Sequence, residues 1–179
     1  MNKNEENKIR NAYVKLAAQN YNIPNVHIFD DASVGGTAKV WGSARISDLA
    51  TVFGNAEVYG NARVSGAAWV YDNAQVYDHA QVGGDAKISG KARVFDFARV
   101  TGKAKISENA RVFDRAIVSG NAMVEGYAWV YGDAWITGNA KIGGNAQIGG
   151  NATILGGDWD GSDGSITEGT WKSPTERIK

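Results

Sequence analysis

Alanine falls on every sixth residue from Ala32 to Ala152, twenty-one times without an exception. Two residues after each comes Val or Ile, from Val34 to Ile154. Two further on comes Gly in fifteen cases; in the other six it is Asp48, Asp72, Asp78, Asp96, Glu108 or Asp114. The unit reads A-x-[VI]-x-[GD]-x, and Val26 and Ile28 carry its phase one unit earlier. Within A-x-[VI]-x the apolar positions alternate, which is the period of a strand. The last two positions are turn formers, and Asn fills the second at 55, 61, 73, 109, 121, 139, 145 and 151. Gly and Asn tolerate left-handed backbone angles that most residues avoid. A helix would need apolar residues at i, i+3 and i+4, and so regular a glycine would weaken it. Each unit is therefore a short strand and a bend. A lone strand this short cannot bury its inner face, so the units must stack as a solenoid, valine upon valine.

Composition narrows what such a solenoid does. The chain has 179 residues, the size of one domain, with Lys+Arg 19 balanced by Asp+Glu 19. A zero net charge argues against a nucleic-acid partner held by phosphate neutralisation. The absence of Cys removes disulfides, thiolate metal sites and cysteine nucleophiles. The two histidines cannot supply a three-histidine metal site within one chain, and no metal is expected. No apolar run approaches the roughly 20 residues that cross a bilayer, and the first residues lack a signal-like hydrophobic stretch. The expectation is a soluble cytoplasmic protein with no membrane partner.

The repeat resembles the hexapeptide repeat of left-handed parallel β-helix proteins, over residues 26–156. The resemblance implies three hexads per triangular coil, so that residue n lies above residue n−18. It also supplies the left hand of the coil. The fold class is then all-β, a single-stranded left-handed parallel β-helix. Twenty-one hexads give seven coils, and at about 4.8 Å per coil the prism is roughly 30–35 Å tall. Small Ala suits the narrow corners, and Val or Ile fills the middle.

Both ends depart from the repeat. Residues 1–25 form an N-terminal cap, in which 4–19 read as a helix: Asn4 can cap it, and Ile9, Ala12, Tyr13, Leu16 and Ala17 form one apolar stripe. Its expected role is a lid over the open lower coil. At the other end, residues 157–179 read as an irregular cap. Asp158 falls in an alanine slot and Asp160 in a valine slot, so the coil is not expected to continue. Ile166 returns to phase, which implies an excursion over 157–164, with Trp159 and Trp171 as plugs. The acidic stretch Asp158–Gly164 lacks calcium-loop spacing and reads as turns.

On one face, the outward position after the valine is Trp41, Tyr59, Tyr77, Phe95, Phe113 and Tyr131, each eighteen after the last. These rings should stack in one column, with Trp129 in the column beside them. A ladder could simply stiffen the sheet, since stacked aromatic pairs gain about 0.5–1.5 kcal/mol beyond burial. A flat apolar column so tall is also larger than a soluble monomer usually exposes, which points to self-association. A second face carries Ser47, Ser65, Gly83, Thr101, Ser119 and Thr137 beside arginines, and looks solvated. One corner stacks Asp78, Asp96 and Asp114, with His79, Phe97 and Arg115 next to them. Like charges about 5 Å apart repel by roughly 3 kcal/mol at an effective dielectric of 20, so these carboxylates need partners. The expectation is that each closes its own turn.

The uninterrupted repeat points first to a non-catalytic scaffold or interaction module, a homo-oligomer held by the aromatic face, because active sites usually occupy loops. The resemblance implies an alternative. Many hexapeptide-repeat proteins are trimeric acyltransferases that use acetyl-CoA and a histidine general base. His79, oriented by Asp78 or Asp96, is the base to test under that reading, and three is the oligomer number it implies. A third reading lays carbohydrate on the aromatic column. The G-N-A-x-V wording and the tail D-W-D-G-S-D-G-S-I-T-E-G-T-W also look like hexapeptide proteins of bacteria and their phages.

Overall fold

A computed structural model of the chain describes residues 26–162 and 164–178. The helix expected at 4–19 lies outside the described residues. Within them the chain is a parallel β-solenoid of two-residue strands, one per hexad, and no helix occurs. The strands form three sheets of ten, eight and eight. The first sheet climbs from His27–Ile28 through Arg45–Ile46 and Arg63–Val64 to Thr153–Ile154. The second starts at Ser33–Val34 and the third at Lys39–Val40.

The eighteen-residue register holds throughout this shaft. Arg45 pairs with Arg63, Lys87 with Lys105, and Arg93 with Arg111. Every Val or Ile in the core slot of the repeat, from Val34 to Ile154, is buried, as is every repeat alanine except the half-buried Ala38. No polar or charged side chain is buried among the described residues. The core is thus one continuous aliphatic column. Its strands are joined by amide hydrogen bonds that step between coils, such as Lys87 N–H to Ala104 O at 2.9 Å.

Each bend turns on one left-handed residue. The glycines there have φ between 55 and 71°, and Asp30, Asp48, Asp72, Asp78, Asp96, Glu108 and Asp114 adopt φ between 52 and 59°. Glycine is favoured for a second reason. A Cβ on Gly102 would lie 2.9 Å from both the backbone N and the backbone O of Gly120 in the next coil.

The shaft does not stop where the sequence phase stops. An eighth coil forms, and the expectation that Asp158 and Asp160 end the solenoid is corrected. The step to the next coil shortens from eighteen residues to seventeen: Lys141 pairs with Asp158, and Ile142 with Trp159. Gly157 O accepts the Lys141 N–H at 2.9 Å, as Ala140 O accepts that of Met123 one coil below. Gly157 therefore fills the alanine slot, Asp158 points outward, and Trp159 fills the valine slot at 2% exposure. Ile166 pairs with Ile148, and Trp171 with Ile154. The two tryptophans act as the expected plugs, meeting edge to face at 5.9 Å. An antiparallel strand, Glu176–Ile178, then pairs with Thr170–Ser173 at the end of the first sheet.

Candidate functional site

The six aromatic residues on the third sheet form one continuous ladder. Ring centroids are separated by 4.4 Å for Trp41–Tyr59, 4.8 Å for Tyr59–Tyr77 and 5.0 Å for Tyr77–Phe95. The series continues at 5.1 Å for Phe95–Phe113 and 5.5 Å for Phe113–Tyr131. Planes of the first five rings lie within 3° of their neighbours, so the ring spacing follows the coil spacing. The ladder ends because a Cβ at Gly149, the next position, would lie 2.3 Å from atoms of the Tyr131 ring.

This stacking changes what the face can bind. Each ring covers its neighbours, and all six side chains are half-buried. Their edges, not their π-faces, are turned outward. A sugar ring needs an open π-face to lie on, so the geometry disfavours the carbohydrate reading along the ladder. Apolar surface continues around it: Trp129 is 38% exposed beside Phe113, and Phe97 is 59% exposed at the adjoining corner.

The ladder also affects its tyrosines. Burial comes first, and the Glu57 and Asp78 carboxylates add to it, holding the Tyr59 phenol above its ordinary range against the pull of Arg93. Tyr77 is raised in the same way, by burial first, then by Tyr59 and the Asp78 and Asp96 carboxylates, again opposed by Arg93.

The acidic corner is a set of staples rather than a ligand cradle. Among the described residues, the N–H of the left-handed turn residue in the shaft makes no backbone hydrogen bond. Where the coil below carries an acid in that slot, its carboxylate accepts this N–H. Gly66 donates to Asp48 Oδ2 at 2.7 Å, Gly90 to Asp72 Oδ2 at 3.1 Å, and Gly126 to Glu108 Oε2 at 2.9 Å. At the corner in question Asp114 donates to Asp96 Oδ2 at 3.3 Å and Gly132 to Asp114 Oδ2 at 2.9 Å. The expectation that each Asp closes its own turn is corrected: it caps the turn of the next coil. The cause is geometric, because a Cβ in this slot lies 2.7–3.0 Å from that backbone N wherever the next coil keeps the eighteen-residue step. Asp78 is the exception, since its carboxylate makes no hydrogen bond among the described residues.

His79 sits beside Asp78 in sequence, but no hydrogen bond or ion pair joins it to Asp78 or Asp96 among the described residues. Its ring stacks on Phe97 at 4.9 Å, and its Nε2 lies 3.3 Å from the Asn61 amide nitrogen. Arg115 pairs in two-pronged fashion with Asp133, both contacts at 2.9 Å. A shallow groove of about 440 Å³ runs along this corner, lined by Asp96, Phe97, Asp114, Arg115, Gly132 and Asp133. Sequence reasoning missed a larger one of about 610 Å³ at another corner, where Asn55 donates to Asn73 at 3.3 Å. The eighteen-residue spacing of these asparagines was the signal for it. Among the described residues, no cluster of three or more His, Asp or Glu side chains could hold a metal ion, and no helix is long and apolar enough to cross a membrane.

A family model described as a YdcK β-solenoid repeat matches residues 56–72, 116–132 and 146–162. Each stretch is about one coil long and begins on a repeat alanine: Ala56, Ala116 and Ala146. No curated protein and no solved structure matches the chain. Together with the three parallel sheets, the match supports a β-solenoid repeat fold.

Proposed function

We propose that the protein is a non-catalytic scaffold that self-associates through the aromatic face of its third sheet. The observation that carries this reading is the ladder, six half-buried rings running the height of an otherwise regular shaft with exposed Trp129 and Phe97 at its margins. Other conspicuous groups already have structural work. Acidic turn residues cap amides, and asparagines bond to one another between coils. No inserted loop interrupts the hexads between Ala32 and Ile154 to carry chemistry.

Sedimentation velocity across a concentration series tests the reading. The chain is expected to form a discrete oligomer that Tyr77→Lys abolishes, with the same β-sheet circular dichroism. A monomer at every concentration would overturn it. The acyl-transfer alternative rests on His79, which is held by an amide and a ring rather than by a carboxylate. A calorimetric titration with acetyl-CoA addresses it, and saturable binding lost in His79→Ala would favour it.

A further inference from the structure

Charge on the ladder face is divided unevenly along the rod. In the outward column beside the ladder, the lower half carries Lys39, Glu57 and Gln75, and the upper half Arg93, Arg111 and Trp129. The lower half is internally satisfied: Lys39 Nζ lies 3.3 Å from Glu57, and Gln75 donates to Glu57 at 3.0 Å. The upper half is not. Arg93 and Arg111 are direct cross-strand neighbours, and neither has a carboxylate partner among the described ion pairs. Like charges placed opposite each other on adjacent strands are destabilising. Arg111 only lies over the Trp129 ring, at 5.2 Å.

We infer that a second copy of this chain covers the face, running antiparallel about a two-fold axis midway between the coils of Tyr77 and Phe95. The inference rests on the self-association proposed above and gives it a partner geometry. Such an axis lies in the plane of the face, perpendicular to the rod, and lays each column on its own reverse. Glu57 then faces Arg111 of the second copy, Gln75 faces Arg93, and Lys39 faces the Trp129 ring. Along the ladder Trp41 meets Tyr131, Tyr59 meets Phe113, and Tyr77 meets Phe95. At the bounding corners Asn61 meets Arg115, Ser43 meets Asp133, His79 meets Phe97, and Thr37 meets Tyr127. Across these columns one kind of like-charged contact arises, Asp78 against Asp96 beside the axis, also twice by symmetry. Asp78 is the turn acid that staples nothing.

The other two-fold arrangement, with the rods parallel, exchanges the column on one side of the ladder with that on the other. It sets Arg111 against Arg115 of the second copy, twice by symmetry, and makes no opposite-charge pair between these columns. Charge complementarity therefore selects the antiparallel pair over the parallel one. The face is roughly 30 Å by 15 Å, on the order of 500 Å² per partner, near the lower bound for a specific interface. The dimer should accordingly be concentration-dependent.

The cysteine-free chain allows a direct test. Ser43→Cys and Asp133→Cys are made separately and treated with a short bismaleimide, alone and mixed. In the antiparallel dimer two Ser43 positions lie roughly 24 Å apart, five coil spacings, so Ser43→Cys does not link to itself but links to Asp133→Cys in the mixture. Self-linking of Ser43→Cys without mixed linking overturns the inference. Sedimentation gives an independent reading. Arg111→Glu is expected to weaken the dimer at least about tenfold, with Glu57→Arg/Arg111→Glu restoring it, and Asp78→Asn to tighten it about threefold. Tightening by Arg111→Glu contradicts the antiparallel pair, since that change relieves the parallel contact with Arg115. A wild-type monomer sinks the self-association reading as well. A dimer lost in Tyr77→Lys but indifferent to Arg111→Glu sinks only the geometry.

Discussion

The shaft and its closing coil solve the same packing problem with opposite choices of size. In the shaft a coil corner is Ala and the core position Val or Ile, as in Ala140-Lys141-Ile142. In the closing coil the corners are Gly157, Gly164 and Gly169, and the core positions two residues later are Trp159, Ile166 and Trp171. At Trp159 and Trp171 a larger core side chain is accompanied by a smaller corner. The extra bulk also serves as a stopper, and its polar edge is satisfied locally. Trp159 Nε1 donates to Gly156 O at 2.9 Å, and Trp171 Nε1 to Glu168 O at 3.0 Å. Burying a tryptophan is cheap only when its N–H finds such a partner. Strict period in the shaft thus reflects repeated volume, and once the volumes change together the period can change with them.

The sharpest way to break this comparison is to remove the stopper. Trp159→Ala should cost about 3–5 kcal/mol, because the lost indole leaves a cavity over the last aliphatic layer. Thermal unfolding followed by circular dichroism measures it, and an unchanged midpoint would show that the closing coil adds little. Next comes a pair of left-handed glycines in different surroundings. Gly102→Ala in the shaft adds a Cβ 2.9 Å from backbone atoms of Gly120 at φ 67°, whereas Gly164→Ala in the closing coil meets nothing within 4 Å at φ 76°. The first should cost about 2 kcal/mol or more, the second about 1 kcal/mol from the backbone angle alone. Equal losses would mean that coil-to-coil crowding is not what selects glycine in the shaft.

A smaller effect sharpens the point. Gly102→Asp meets the same crowding as Gly102→Ala, but its carboxylate can accept the Gly120 N–H, as Asp114 accepts that of Gly132. It should recover about 1 kcal/mol relative to Ala in the same melts. The smallest effect concerns the ladder. Tyr59 and Tyr77 titrate above the ordinary tyrosine range. The neutral phenol is favoured by the fold, so this contribution is present below the unfolded-state tyrosine pKa and is lost as pH rises through the raised folded value. Alkaline absorbance titration should show a late component that disappears in Tyr59→Phe/Tyr77→Phe.

Most of the shaft is legible in the sequence because one hexad predicts the next. Val94 and Val112 are core for the same reason as Val34, and the ladder follows from adding eighteen to Trp41. The closing coil was hidden because its spacing changes. From Ala152 the corners fall at Gly157, Gly164 and Gly169, steps of five, seven and five. A reader holding to six sees Asp158 in a corner and Asp160 in the core, and stops. The recurring G-x-[WI] at 157, 164 and 169 was the available signal. The direction of the acidic staples was not legible at all. Sequence places Asp96 and Asp114 in turns, but only the aim of a left-handed Cβ toward the coil above determines which amide each carboxylate caps.

The proposed surface, the staples and the closing coil all follow from one relation, that positions eighteen apart are vertical neighbours. Paired cysteines test it in the otherwise cysteine-free chain. Ser47→Cys/Ser65→Cys places two thiols on adjacent coils of one column, about 4.8 Å apart along the rod. Ser47→Cys/Tyr59→Cys, twelve apart, places them on different faces. Mild oxidation should close an intramolecular disulfide in the first pair and none in the second. A disulfide that forms as readily at twelve as at eighteen would contradict the register.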